Sequence, residues 1–317
     1  MCIRDRWLEI IRSSVEKTTF SSYTQMVKGK IAPYFRNTGL TLDGIQAKHI
    51  QSFYLHELKT VSPGTVIHYH ANIHKALKYA VKMDLIPFNP ADKVERSKKQ
   101  RYIADYYRQE ELERLLEASK DHPYSLLIQM TAFYDLRRSE ALGARWSRVD
   151  WENKTILLDT KIIEYKENGK VIVEPVEEMK NKSSRRTLPL PDPVYEMLCE
   201  EREKQDLYRR MFKGSYNRKY DDYICVDQLG GLIRPNRVTQ RFADLIRQYG
   251  LRKIRFHDLR HTFASILINQ DVPLLNVSTF LGHSDLSTTA NIYAHLDKSK
   301  KQESADVISS IFNKAKE

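Results

Sequence analysis

A chain of 317 residues is long enough for about two domains. Its 52 Lys and Arg against 41 Asp and Glu leave a net charge of +11, which favours a polyanionic partner, nucleic acid ahead of an anionic membrane surface. Glycine and proline, 11 each, are too few for a collagen-like or low-complexity chain, and no apolar run approaches the roughly 18 residues of a membrane span.

No basic–apolar–small signal segment opens the chain. Residues 1–6 look unrelated to the rest of the chain and are set aside from the fold expectation. Thr18–Arg36 carries helical apolar spacing at Phe20, Tyr23, Met26, Val27, Ile31 and Tyr34–Phe35. A second helix is predicted over Ala47–Lys59. A third opens at Ser62-Pro63, a cap followed by a first-turn proline, and runs to Met83. His68, His70 and His74 lie on it, but no fourth ligand is near and Ala71 stands where a zincin glutamate would be. A packed or DNA-facing surface is therefore expected there, and no metal.

The charge is unevenly spread. Residues 1–101 hold 17 Lys and Arg against 8 Asp and Glu, and the remainder 35 against 33. The run Lys93, Arg96, Lys98, Lys99 and Arg101 is either a solvated linker or an arm that tracks phosphates, each neutralised phosphate releasing a counterion. Its place, after Pro87 and Asn89-Pro90 and before a fresh helical pattern, favours an inter-domain strap across a duplex.

Helices are predicted next at Gln109–Lys120 and Tyr124–Tyr134, with a short one from Arg138. Three strand-like runs, Thr155–Asp159, Val171–Val176 and Arg185–Leu190, predict one small antiparallel sheet. Helices return at Pro193–Tyr208, Asn236–Tyr249, His257–Asn269, Pro273–Leu281, Ser287–Tyr293 and Glu303–Lys316. The expected class is mainly α with a small antiparallel β-sheet. Cys2, Cys199 and Cys225 form neither a disulfide framework nor a CxxC pair, which points to a reducing compartment, and Cys199 and Cys225 read as small buried hydrophobes.

Four segments of the second domain stand out together: Leu136-Arg137-Arg138-Ser139-Glu140, Lys180-Asn181-Lys182-Ser183-Ser184-Arg185-Arg186, His257-Asp258-Leu259-Arg260-His261, and Leu281-Gly282-His283 with Thr288-Thr289 and Tyr293 after it. Singly, each has an ordinary explanation, such as a helix ion pair, a solvated turn or a C-cap glycine. In this order they resemble the tyrosine recombinase, or phage integrase, family, with wording most like the integrases of conjugative transposons. The resemblance implies a helical SAM-like core-binding domain over residues 7–92, a basic linker over 93–104 and a mixed α/β catalytic domain over 105–317.

By motif, the resemblance makes Arg137, Lys180, His257, Arg260, His283 and Tyr293 the catalytic set, with Tyr293 as nucleophile and Glu140 bracing Arg137. The implied reaction passes through a 3′-phosphotyrosyl intermediate. Two arginines suit its charge, since guanidinium grips non-bridging oxygens bidentately at any working pH. His257 is the candidate to take the tyrosine proton, and Lys180 to protonate the 5′-oxygen. Such a site needs no cofactor, metal or ATP. The expected partner is a double-stranded DNA core site clamped between the two domains, worked on by a homotetramer on two duplexes, with accessory DNA-bending or excision factors. The implied setting is the bacterial cytoplasm, at the nucleoid, with no membrane.

Two departures carry expectations. Asp135 occupies a position where the family usually has glycine, and its carboxylate is expected to oppose the charge that Arg137 must stabilise, so that Asp135→Gly cleaves suicide substrates at least as fast. Asn181, where threonine is common, is milder. An upstream arm-binding domain is usual in conjugative-transposon integrases, and about a dozen residues precede the first helix expected here. The segment Glu303–Lys316 aligns Ile308, Ile311, Phe312 and Ala315 on one face, for its own domain or, as the resemblance implies, a neighbouring protomer. The rival readings are a Xer-like chromosome-dimer resolvase, a catalytically idle DNA-binding relic and a type IB topoisomerase.

Overall fold

The computed structural model describes residues 3–98, 105–177, 185–281, 286 and 289–290. Lys99, Arg101, Lys180, His283, Tyr293, the expected helix at 303–316 and all of the one at 287–293 except residues 289–290 lie outside them. The chain divides into two compact units: residues 1–102 with the hairpin tip 165–172, and residues 103–164 with 173–317.

The first unit is helical. It contains α1 (Ile3–Ile11), α2 (Lys17–Met26), a single π turn over Val27–Ile31, α3 (Ala32–Asn37), α4 (Ala47–Glu57) and α5 (Pro63–Lys82). Residues 3–6, expected to stand apart from the fold, are instead the start of α1, whose Trp7 and Leu8 are buried in the same core as Ile50, Phe53, Tyr54, Val66 and Ile73. Thr18–Arg36, expected as one helix, is continuous but locally unwound, and the extra residue of the π turn lets both Val27 and Ile31 reach the core. The start of α5 is as its sequence spells it: the Ser62 hydroxyl accepts from the Thr65 N–H, and Pro63 needs no acceptor in the first turn.

The second unit is built on a helix apolar on every side. After α6 (Gln109–Ser119), helix α7 (Ser125–Tyr134) buries Leu126, Leu127, Ile128, Met130, Ala132 and Tyr134, so neighbours must cover its whole circumference. The short α8 (Arg138–Leu142) comes next. Strands β1 (Val149–Asp150), β2 (Thr155–Leu158) and β5 (Arg186–Pro189) form an antiparallel sheet in the order β1-β2-β5, with Ile156 opposite Leu188.

The expectation of a single sheet is corrected here. Val171–Val176 falls within β4 (Lys170–Val176), which pairs instead with β3 (Lys161–Glu167), a strand the sequence reading missed. Asn168 and Gly169 join them with φ of 50° and 79°, the two positive values that a two-residue hairpin turn of matching twist requires.

Helices α9 (Asp192–Phe212), α10 (Pro235–Gln248), α11 (Phe256–Leu259), α12 (Thr262–Asn269) and α13 (Leu274–Leu281) complete the described unit. The single helix expected over His257–Asn269 is broken at Arg260 and His261, and Thr262 just beyond is fully buried, its hydroxyl accepting from the Tyr107 N–H. Among the described residues no helix is long and apolar enough to cross a membrane.

Candidate active site

The site begins where α7 stops. Asp135 closes that helix in the left-handed conformation, at φ 52° and ψ 35°, and turns the chain sharply into α8. Glycine takes this backbone at no steric cost, and aspartate is among the few other residues that tolerate it. Leu136, next in line, is fully buried and anchors the turn. Arg137 therefore emerges at the N-terminus of α8 with its side chain half exposed, while Glu140, one turn on, is buried.

Glu140 accepts from the Arg137 backbone N–H at 3.1 Å and from Arg137 Nη1 at 2.7 Å, so the carboxylate fixes both ends of that residue. Its Oε2 also lies 3.4 Å from Nη2 of Arg186, at the start of β5. Arg186 is almost wholly buried. Burial pulls its pKa down, against the opposing charges of Glu140 and Asp135. The expected brace between Glu140 and Arg137 is there, shared with a second arginine.

The other half comes from the break after α11, 125 residues downstream. Arg260 is buried, and its Nε and Nη2 donate to the two oxygens of Asp135 at 2.7 and 2.8 Å. Burial works against the charge on Arg260, and the carboxylates of Asp135 and Glu140 together more than offset it, leaving the guanidinium pKa above its ordinary value. Asp135 thus pairs with Arg260, a partner that its place two residues before Arg137 does not announce. Nδ1 of His261 also stands 3.4 Å from Asp135, close but without hydrogen-bond geometry.

His257 presents its ring to solvent on one side, and its pKa is lowered by partial desolvation and then by the Arg260 cation. The lowered pKa favours the neutral imidazole, the form that can accept a proton. Asp258 beside it is buried and takes a two-point contact from Arg255, at 2.8 and 2.7 Å, which pins the start of α11.

Of the residues singled out from sequence, the structure brings Arg137, Glu140, His257 and Arg260 into one charged cluster. Lys180, His283 and Tyr293 lie outside the described residues. Arg186 and Asp135 were missed as members of the network, although both stand inside or beside the motifs. Lys93, Arg96 and Lys98 are exposed after α5, with Lys93 Nζ 5.1 Å from the centre of the Phe88 ring. On α5, His70 Nδ1 is bonded to the Tyr54 hydroxyl at 2.8 Å and His74 Nε2 to Asp92 at 2.7 Å.

A mainly helical unit with two arginines on carboxylate braces and a histidine beside them suits phosphoryl transfer without a Gly-rich phosphate loop. Residues 105–300 match the phage integrase family, and residues 5–98 match the phage integrase SAM-like domain. The chain belongs to the phage integrase family, the tyrosine-type site-specific recombinases. It is 28% identical to a tyrosine recombinase XerC-like protein of Caldanaerobacter subterraneus, over 96% of this chain and 81% of that one. It is 24% identical to the ICEBs1 integrase of Bacillus subtilis, over 94% and 80%. In fold it is similar to a solved Tn1549 transposon integrase in complex with transposon right end DNA, with a TM-score of 0.67, 18% identity and coverage of 98% and 100%.

Proposed function

We propose that this recombinase cuts and rejoins double-stranded DNA at the core site of a mobile element, integrating and excising it. The observation that carries the reading is the pairing of Arg137 and Arg260, drawn from distant parts of the chain, on buried carboxylates beside a neutral His257. Two fixed cations suit the charge that grows on the non-bridging oxygens of an attacked phosphodiester, and each such donor is worth about 10²–10³ in rate. Tyr293 supplies the phenolic oxygen, His257 takes its proton, His283 adds a donor and Lys180 protonates the departing 5′-oxygen. The bond formed, a 3′-phosphotyrosine, keeps the energy of the phosphodiester, so rejoining needs no ATP. The chain's own cations supply the electrostatics, and the site calls for no cofactor.

The SAM-like domain over residues 7–92 and the basic segment 93–104, with Lys93, Arg96, Lys98, Lys99 and Arg101, would supply sequence-independent phosphate contacts. The solved structures with this fold include a lambda integrase tetramer bound to a Holliday junction, which supports a tetramer on two duplexes for this chain, joined through residues 303–317. Accessory DNA-bending or excision factors complete the proposal, as does a nucleoid setting in the cytoplasm.

The test uses nicked suicide duplexes carrying the flanks of the source element, beside a duplex of the dif type. A covalent adduct on the element flanks that disappears in Tyr293→Phe supports the reading. Adduct on the dif-type duplex alone would transfer the chain to chromosome-dimer resolution. No adduct on either refutes catalysis, and relaxation of supercoils without a specific site favours a topoisomerase.

A further inference from the structure

Asp135 is unexplained by the reaction itself, since an acidic group beside a phosphate site ordinarily weakens it. The geometry shows what this one does. Its two oxygens engage Arg260 from the side, through Nε and Nη2. A guanidinium has a second edge, the outer one made by Nη1 and the remaining N–H of Nη2. Among the described residues Nη1 has no hydrogen-bond partner. An arginine left to itself at this position could turn through four side-chain torsions, and it would also stand buried without its hydrogen-bonded counter-charge.

We propose that Asp135 is a positioning residue that holds Arg260 by its inner edge and aims its outer edge at the scissile phosphate. The proposal rests on the reading that Arg260 grips that phosphate. Two features tie the role to this residue. The left-handed turn places the Asp135 carboxylate inside the unit, fully buried, and restricts the position to glycine, asparagine or aspartate. Of these three only aspartate offers two acceptors to the fork. The carboxylate also engages the edge away from the ligand, so it orders the cation without competing for the same donors. The charge it subtracts is offset by Arg186, whose field reaches both Asp135 and Arg260.

The test compares Asp135→Asn, Arg260→Ala and the double variant in single-turnover cleavage of a suicide duplex, with DNA affinity and thermal melting measured alongside. Asparagine keeps the backbone and the volume but offers one acceptor and a misplaced donor. Asp135→Asn is expected to slow cleavage by about tenfold or more, with DNA affinity little changed, and the double variant should be no slower than Arg260→Ala. A second substrate has a methylphosphonate at the scissile position, where one charged oxygen is replaced by methyl. Need for a correctly aimed cation falls there, so the Asp135→Asn defect should shrink in parallel with that of Arg260→Ala. A defect from poor folding would persist on both substrates.

Full-rate cleavage by Asp135→Asn, or a defect that adds to that of Arg260→Ala, overturns the positioning role. Full-rate cleavage by Arg260→Ala instead overturns the reading on which it rests.

Discussion

Glu140 lies between two arginines of very different exposure, and its removal separates two roles. The shorter contact is with Arg137, whose side chain is 52% exposed; the longer is with Arg186, 9% exposed. Distance alone would make Arg137 the principal partner. Solvation reverses that order for stability: Arg137 can turn to water, and an exposed i,i+3 pair is worth about 0.5 kcal/mol. Arg186 has no such escape, and a buried charge stripped of its partner costs about 3–5 kcal/mol. Glu140→Ala should therefore destabilise the second unit by about 3–5 kcal/mol. Glu140→Gln, which keeps one acceptor, should cost about 1.5–3 kcal/mol. Placing Glu140→Gln on Arg186→Met should lower its cost by at least about 1 kcal/mol, because the stranded cation is gone. Urea unfolding followed by tryptophan fluorescence in a Trp7→Phe background isolates the signal of Trp146 and Trp151, which pack in this unit. A loss below about 1 kcal/mol for Glu140→Ala, or an equal cost of Glu140→Gln in both backgrounds, would refute the argument.

Gly143→Ala should cost about 2 kcal/mol or more in the same unfolding assay, since a Cβ there would stand 2.2 Å from the Thr160 carbonyl oxygen; an unchanged midpoint would count against that close approach. Cleavage rate should fall on acidification only below pH 6.5, because the base proposed here, His257, acts in its neutral form and its pKa lies under that ordinary value. An acidic limb centred above 6.5, or one that survives unchanged in His257→Gln, contradicts the assignment. In the folded protein, iodoacetamide should label Cys199 well before Cys225, whose thiol is buried and whose pKa is pushed up by that burial, and peptide mapping reads the order directly.

The legible parts of the chain are those with local physical causes. Ser62-Pro63 opens α5 because capping and a fixed proline φ act within one turn, and Asn168-Gly169 turns a hairpin because both residues accept positive φ. The strand after that turn is legible and the strand before it is not: Lys161–Glu167 carries charges at four of seven positions, which masks its alternation. Residues 3–6 are illegible for a different reason. A short segment shows no helical repeat, and only the core that receives Trp7 and Leu8 reveals that α1 belongs to the fold.

In the proposed site, the motifs single out Arg137, Glu140, His257 and Arg260 by type and order, and the structure brings these four together. Their partners are not readable. Asp135 looks like a neighbour of Arg137 because they are two apart, yet a left-handed turn carries its carboxylate inward to Arg260. Arg186 looks like part of a solvated turn, and burial makes it the second cation on Glu140. Sequence by itself determined the family's motifs and the helix-rich class, since both come from residue identity and short-range periodicity. Tertiary structure decided which carboxylate holds which cation, because an ion pair's worth depends on how far packing removes each partner from water, and packing joins residues more than a hundred positions apart.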